Sequence, residues 1–147
     1  MKANKAGRVA ENILADVMRG VGLTFRRQVP MGIGIFQRPI KADFVVTNLV
    51  EFPDGLAIES KWQDSPGSVD EKFPYVVETI QKCYRLPGIV IVFGGFCRLG
   101  ALDYLRARCD GERLIAVYRL EEFISWGLRA EKRDPTPRLF SVDEVSV

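Results

Sequence analysis

The sequence predicts an α/β domain in which one mixed β-sheet is flanked by helices on both faces. Three observations predict it. Residues 6–20 place apolar side chains at helical spacing, and a Pro-Asp-Gly turn separates two apolar stretches that read as an antiparallel strand pair. The remainder alternates strand, helix, strand and helix at the spacing of right-handed parallel crossovers. The chain's 147 residues suit one core, and 47% apolar against 27% charged residues is a globular balance.

In "AGRVAENILADVMRG", Val9, Ile13, Leu14, Val17 and Val21 fall on one helical face, and Gly20 and Gly22 end the helix. "LTFRRQV" alternates as a strand, and Pro30-Met31-Gly32 reads as the turn after it. A second strand is expected around Ile40 to Thr47, and a third, beginning at Leu56, returns antiparallel to it across Pro53-Asp54-Gly55. Ser65-Pro66-Gly67 is a loop, and Ser68 with Glu71 resembles a capping box. The next helix is expected from about Pro74 to Arg85, with Phe73, Val76, Val77, Ile80 and Tyr84 on its apolar face. "GIVIVFGG" is a β-branched run of the kind covered on both faces. A helix from Leu99 to Cys109, the strand "RLIAVYR" and the helix "LEEFISWGLRAE" complete the order α-β-β-β-α-β-α-β-α. Residues 1–131 are read as one domain and 132–147 as a tail, a candidate oligomer-interface element.

Composition narrows the chemistry. The chain has no histidine, which excludes Ser-His-Asp and Cys-His catalysis and imidazole-based zinc sites. Hydrolysis would have to rest on carboxylates, lysines and an oxygen-loving metal such as Mg²⁺. Cys83, Cys97 and Cys109 form neither a CxxC pair nor an even disulfide set, and reduced thiols are expected. The net charge of +2 is a mild pull toward polyanions. No apolar run approaches the ~20 residues that cross a bilayer, and the basic N-terminus leads into a charged segment rather than a leader. A cytoplasmic location is the expectation.

The stretch "LAIESKWQ" ends an apolar strand in charged groups, and strand alternation puts Glu59, Lys61 and Gln63 on one face. Asp43 lies inside the preceding strand, in "IKADFVV", where an aspartate is unfavourable unless exposed or partnered. With the turn closed, Asp43 and Glu59 can sit at the same end of the strand pair. Their repulsion would be relieved by a divalent cation. Lys61 can point at the same place, to stabilise hydroxide and polarise a phosphate. Gln63 extends the row and can hold a water or a phosphate oxygen. By themselves the residues also suit a plain exposed Glu59–Lys61 pair on an edge strand.

A helix carrying an acid, a hairpin bearing Asp43 and Glu59-Ser60-Lys61, then a helix and a buried strand resemble the core of the PD-(D/E)xK nuclease superfamily over roughly residues 6–118. The proline before the family's aspartate is Ala42 here, with Pro39 upstream. The resemblance implies a restriction-endonuclease-like αβββαβ core. It implies Asp43 and Glu59 as metal ligands, the Ser60 carbonyl as a further ligand, and Lys61 as the catalytic lysine. It adds Glu11, from the first helix, as a third acid, and Gln63 as the polar residue some branches carry after Glu-x-Lys. Gln81 and Tyr84 fall one residue short of the Gln/Tyr spacing of RecB-like relatives and are given no role.

Lys72, near the start of a helix, is a candidate phosphate ligand. Arg26, Arg27, Arg38 and Lys41 are candidates for a basic rim on the hairpin side, and Arg98, Arg106 and Arg108 for another. Phe36 and Trp62 are read as core residues, with stacking against bases as the alternative. The function expected is a Mg²⁺- or Mn²⁺-dependent DNA endonuclease, structure-selective or weakly sequence-specific. It would be similar to Holliday-junction resolvases, in a phage or mobile-element setting, and active as a homodimer or higher homo-oligomer. The alternatives are a sequence-specific restriction or homing-type enzyme and a nuclease-like module that binds nucleic acid without cutting.

Overall fold

In a computed structural model, which describes residues 5–62, 73–94 and 99–133, the elements follow the expected order. They are α1 (Lys5–Gly20), β1 (Phe25–Ile33), β2 (Pro39–Val46), β3 (Leu56–Trp62), α2 (Phe73–Lys82), β4 (Gly88–Phe93), α3 (Leu99–Ala107), β5 (Leu114–Arg119) and α4 (Leu120–Arg129). The five strands stand side by side in chain order. β2 runs antiparallel to β1 and to β3, while β4 runs parallel to β3 and to β5. The mixed sheet flanked by helices is that of a restriction-endonuclease-like fold.

Its central strand is β3, which supplies Glu59 and Lys61. Two cores cover the sheet. Beneath α2 and α3, Phe73, Val77, Ile80, Leu102 and Leu105 pack on Ala57 and Val90. Beneath α1 and α4, Leu14, Met18 and Phe123 pack on Phe44, Ile58 and Ile91.

Helix α1 ends as its glycines predict. Leu23 N–H donates to the Met18 carbonyl at 2.9 Å and Gly22 N–H to Arg19 at 3.1 Å, with Gly22 at φ +85°. That pair of bonds is a Schellman cap, which satisfies carbonyls the helix leaves open. Its buried stripe differs from the expected one: Ala10, Leu14, Ala15 and Met18 are buried, while Val9 and Ile13 are 45% and 42% exposed. Hydropathy alone ranks valine above alanine, but a small residue lets a helix lie close to a sheet, and here the alanines face inward.

Strand β1 does not turn at Pro30. It continues to Ile33, with Pro30 opposite Lys41 and Ile33 opposite Pro39, and the turn falls at residues 34–38. Because β1 is an edge strand, the proline's missing N–H costs no ladder bond. Gly55 closes the second turn at φ +117°, its N–H bonded to the Phe52 carbonyl. Helix α2 begins at Phe73, with Pro74 in its first turn where no intrahelical donor is required. It stops at Lys82, short of the expected Arg85. Phe36 is not a core residue: it is 70% exposed. Trp62 is half-buried and stacks on Phe93, centroids 6.2 Å apart. Cys83 and Cys109 are half-buried free thiols. No helix among the described residues is long and apolar enough to cross a membrane.

Candidate functional site

The strand pair that carries the two acids comes apart at them. The β2–β3 ladder stops at Phe44 opposite Ile58. Beyond that point β2 stays with β1 as far as Pro39, and β3 stays with β4 as far as Trp62. Asp43 and Glu59 are the next residues along the two parting strands, so they stand at the base of a fork. The usual alternation breaks there as well, since Ala42 belongs to one core and Phe44 to the other. On a regular strand those two residues would share a face.

Side chains replace the missing ladder. Asp43 N–H donates to Glu59 Oε1 at 3.1 Å, and Ser60 donates to Asp43 Oδ2 from its backbone N–H at 2.9 Å and its hydroxyl at 3.2 Å. The N–H and C=O of a strand residue leave on the same edge, so the Ser60 carbonyl is directed toward β2 and the fork. Lys61 Nζ lies 3.9 Å from Glu59 Oε2. An exposed edge pair is therefore not what this chain has: Glu59 is only 7% exposed and lies on the central strand.

Burial fixes the electrostatics. It raises the Glu59 pKa to about 7, the Asp43 charge adding to the rise. Lys61, the Tyr84 hydroxyl and the Asp43 N–H pull the other way without overcoming it. Tyr84 donates to Glu59 Oε1 at 2.5 Å, and its own pKa is driven up by burial first and then by Glu59. Glu59 is thus held beside Asp43 at the cost of a raised pKa. A cation would relieve that cost.

Glu11 reaches the same place from α1. It is half-buried, and its pKa is raised by burial first and by Asp43 second, against the lowering effects of Arg27, Gln28 and Lys61. Gln28 Nε2 donates to Glu11 Oε1 at 3.3 Å. Gln28 stands in the register opposite Asp43, at φ +52°, between the pairs Arg27–Phe44 and Val29–Ala42. With the backbone in that conformation, the side-chain amide faces the acid of the helix.

Among the described residues, no group of three or more acids, cysteines or histidines stands close enough to hold a metal by itself. The donors that fit a hard cation are Asp43, Glu59 and the Ser60 carbonyl, all oxygens, with Glu11 nearby. Gln63 and Lys72 lie outside the described residues.

The basic candidates divide. Arg27 is drawn into the site: its guanidinium donates to Asn12 Oδ1 at 3.2 Å and lies over the Phe44 ring. Arg26, Arg38 and Lys41 are exposed on the hairpin. Arg106 is held by Glu122 and the Val117 carbonyl, and Arg108 by Tyr104 and Gln81, so these two tie elements together instead of forming a rim. Arg98 lies outside the described residues. Gln81 spans to the Arg108 carbonyl and Asp110, which leaves Tyr84 alone at the acids.

Sequence reasoning missed two residues of the site. Periodicity places Tyr84 on a core face and says nothing of its hydroxyl, although a buried tyrosine hydroxyl needs a partner. Gln28 carries no signal in the sequence, because its role depends on a positive φ that nothing local announces.

A family model described as a PD-(D/E)XK nuclease superfamily domain matches residues 2–131. No curated protein and no solved structure matches the chain.

Proposed function

The chain belongs to the PD-(D/E)XK nuclease superfamily, and we propose that it is a metal-dependent DNA endonuclease acting at the Asp43–Glu59–Lys61 fork. The observation that carries the reading is the buried Glu59, held against Asp43 with its pKa raised to about 7. Nucleases of this superfamily typically use divalent metals. In this reading Asp43, Glu59 and the Ser60 carbonyl hold Mg²⁺ or Mn²⁺, with Glu11 adding a carboxylate. When bound, the ion neutralises phosphate charge and lowers the pKa of a coordinated water.

The chain's own groups do the positioning. Tyr84 and the Asp43 N–H fix Glu59 Oε1, and Oε2 faces Lys61. Ser60 holds Asp43 Oδ2 with two hydrogen bonds, so neither acid needs to reorganise when substrate arrives. The Lys61 ammonium donates to the attacking water and to a non-bridging phosphate oxygen, where it stabilises developing negative charge. The water gives up one proton to solvent as its oxygen bonds to phosphorus, the P–O3′ bond breaks, and the departing oxygen takes a proton from solvent. The products are a 5′-phosphate and a 3′-hydroxyl. Gln28 braces Glu11, and Arg26, Arg38 and Lys41 contact the backbone.

In this reading residues 1–131 form the nuclease unit and 132–147 a tail at a subunit interface. One site cuts one strand, so a double-strand cut takes a symmetric dimer. Cleavage is selective for DNA shape more than for sequence, as in junction-resolving enzymes, because short loops offer little to read base edges.

The test is cleavage of supercoiled plasmid, linear duplex, single strand and four-way junction with Mg²⁺ or Mn²⁺, by the wild type and Lys61→Ala. Metal-dependent cutting that the substitution strongly reduces is the expected result. Binding without cutting by both proteins would replace the reading with a non-catalytic module.

A further inference from the structure

Phe36 sits in water beside the proposed site. It occupies the turn between β1 and β2, and its ring stacks on Tyr75, in the first turn of α2, with centroids 5.6 Å apart and planes 11° from parallel. Tyr75 is itself 40% exposed. The turn is braced: Gly34 N–H donates to the Arg38 carbonyl at 2.8 Å and Gln37 N–H to the Gly34 carbonyl at 2.9 Å. Phe36 is thus held with one face on Tyr75 and the other in solvent, and burial does not account for either ring. Gly34, Phe36, Arg38, Ile40 and Tyr75 line a groove of about 490 Å³, within the range of small-molecule sites.

The groove shares two structural elements with the acids. Ile40 leads along β2 to Asp43, three residues on, roughly 10 Å at the rise of a strand. Tyr75 belongs to the helix after which Tyr84 reaches Glu59. At the roughly 3.4 Å per nucleotide of a stacked strand, about 10 Å is three nucleotides at most, so a nucleotide in the groove and a phosphate at the fork can belong to one strand.

We infer that Phe36 and Tyr75, with Arg38, form a stacking platform for an unstacked nucleobase a few nucleotides from the phosphodiester that is cut. The inference rests on the nuclease reading for its substrate. The occupant follows from the chemistry of the groove. A flat π-face accepts any base, an arginine beside it accepts phosphate, and this pairing of aromatic with cation is how single strands are held without sequence preference. A base inside a continuous duplex already stacks on both sides and is not available. The platform therefore favours single-stranded, frayed or branched DNA over blunt duplex.

The test separates binding from cutting. The full chain is titrated in Ca²⁺ with a short oligonucleotide carrying one 2-aminopurine, as a single strand and as a blunt duplex. Wild type should quench the single-strand probe, and Phe36→Ala should weaken single-strand binding about tenfold while changing duplex binding less than about twofold. Phe36→Trp should restore it, and an abasic position in the oligonucleotide should erase the difference between wild type and Phe36→Ala. Phe36 is exposed, so its loss does not threaten folding. Equal single-strand affinity of wild type and Phe36→Ala, or equal losses on both DNAs, overturns the platform. A wild type that quenches the probe yet cuts no DNA with Mg²⁺ or Mn²⁺ supports the platform and overturns the nuclease reading alone. A wild type that cuts, with Phe36→Ala equally active and equally tight on single strands, overturns the platform alone.

Discussion

Glu59→Gln tests the electrostatics of the site without any substrate. Glu59 is buried on the central strand and its pKa is raised to about 7, burial being the first cause and Asp43 the second. In the unfolded chain the same group titrates near 4.5. A carboxyl whose folded pKa is raised binds its proton more tightly in the native state. Its contribution to stability is fully present below the unfolded value and is lost as pH rises through about 7. The gap between the two values corresponds to a loss of roughly 3–4 kcal/mol at most.

Glutamine keeps the shape, and its carbonyl still accepts from Tyr84 and the Asp43 N–H, but it does not titrate. Urea unfolding of the metal-free protein at half-unit steps from pH 4 to 8.5 is the assay. Wild type should lose stability relative to Glu59→Gln between about pH 4.5 and 7. Glu11, raised in the same direction, remains in both proteins, so the difference between them isolates Glu59. At pH 8, millimolar Mg²⁺ or Mn²⁺ should stabilise wild type and leave the variant unchanged. Stability profiles that run parallel across this window would refute the claim that Glu59 is buried at a cost in its ionised form.

The other predictions follow from single contacts. Lys61→Ala should reduce cleavage by about 10²–10³-fold with DNA affinity nearly kept, read by pairing a turnover assay with anisotropy; a loss confined to affinity would contradict its role. Tyr84→Phe removes the hydroxyl on Glu59 Oε1 and should cost about 1.5–3 kcal/mol at pH 8, where the acid is charged, and less at pH 5. Gly55→Ala should destabilise by about 1–3 kcal/mol, because the residue sits at φ +117° and a Cβ there would meet Val45 at 2.9 Å; thermal melting checks it, and an unchanged midpoint would refute the strain.

The sequence alone determined the elements, their order and the residue types available for chemistry. Periodicity is local: alternation put Glu59 and Lys61 on one face, β-branched residues marked the covered strand β4, and Pro53-Asp54-Gly55 marked the turn that makes β3 antiparallel to β2. The absence of histidine left carboxylates and lysine whatever the fold. Errors arose where neighbours in space outweigh neighbours in sequence. Pro30 stays in a strand because that strand is an edge, and α1 turns its alanines inward because the sheet lies close.

Tertiary structure decided the site itself. Nothing local says that the β2–β3 ladder ends after Phe44 and Ile58, and it is that ending which frees Asp43 and Glu59 to face each other. The burial of Glu59, the tyrosine on its oxygen and the amide of Gln28 on Glu11 each join residues at least sixteen positions apart. Such contacts depend on which strand lies at the centre and where two strands part. The exposure of Phe36 has the same origin: the hairpin closes four residues beyond the expected turn and carries an aromatic ring past the edge of the core. The sequence supplies the groups, and their pKa values and partners arise only when the sheet brings them together.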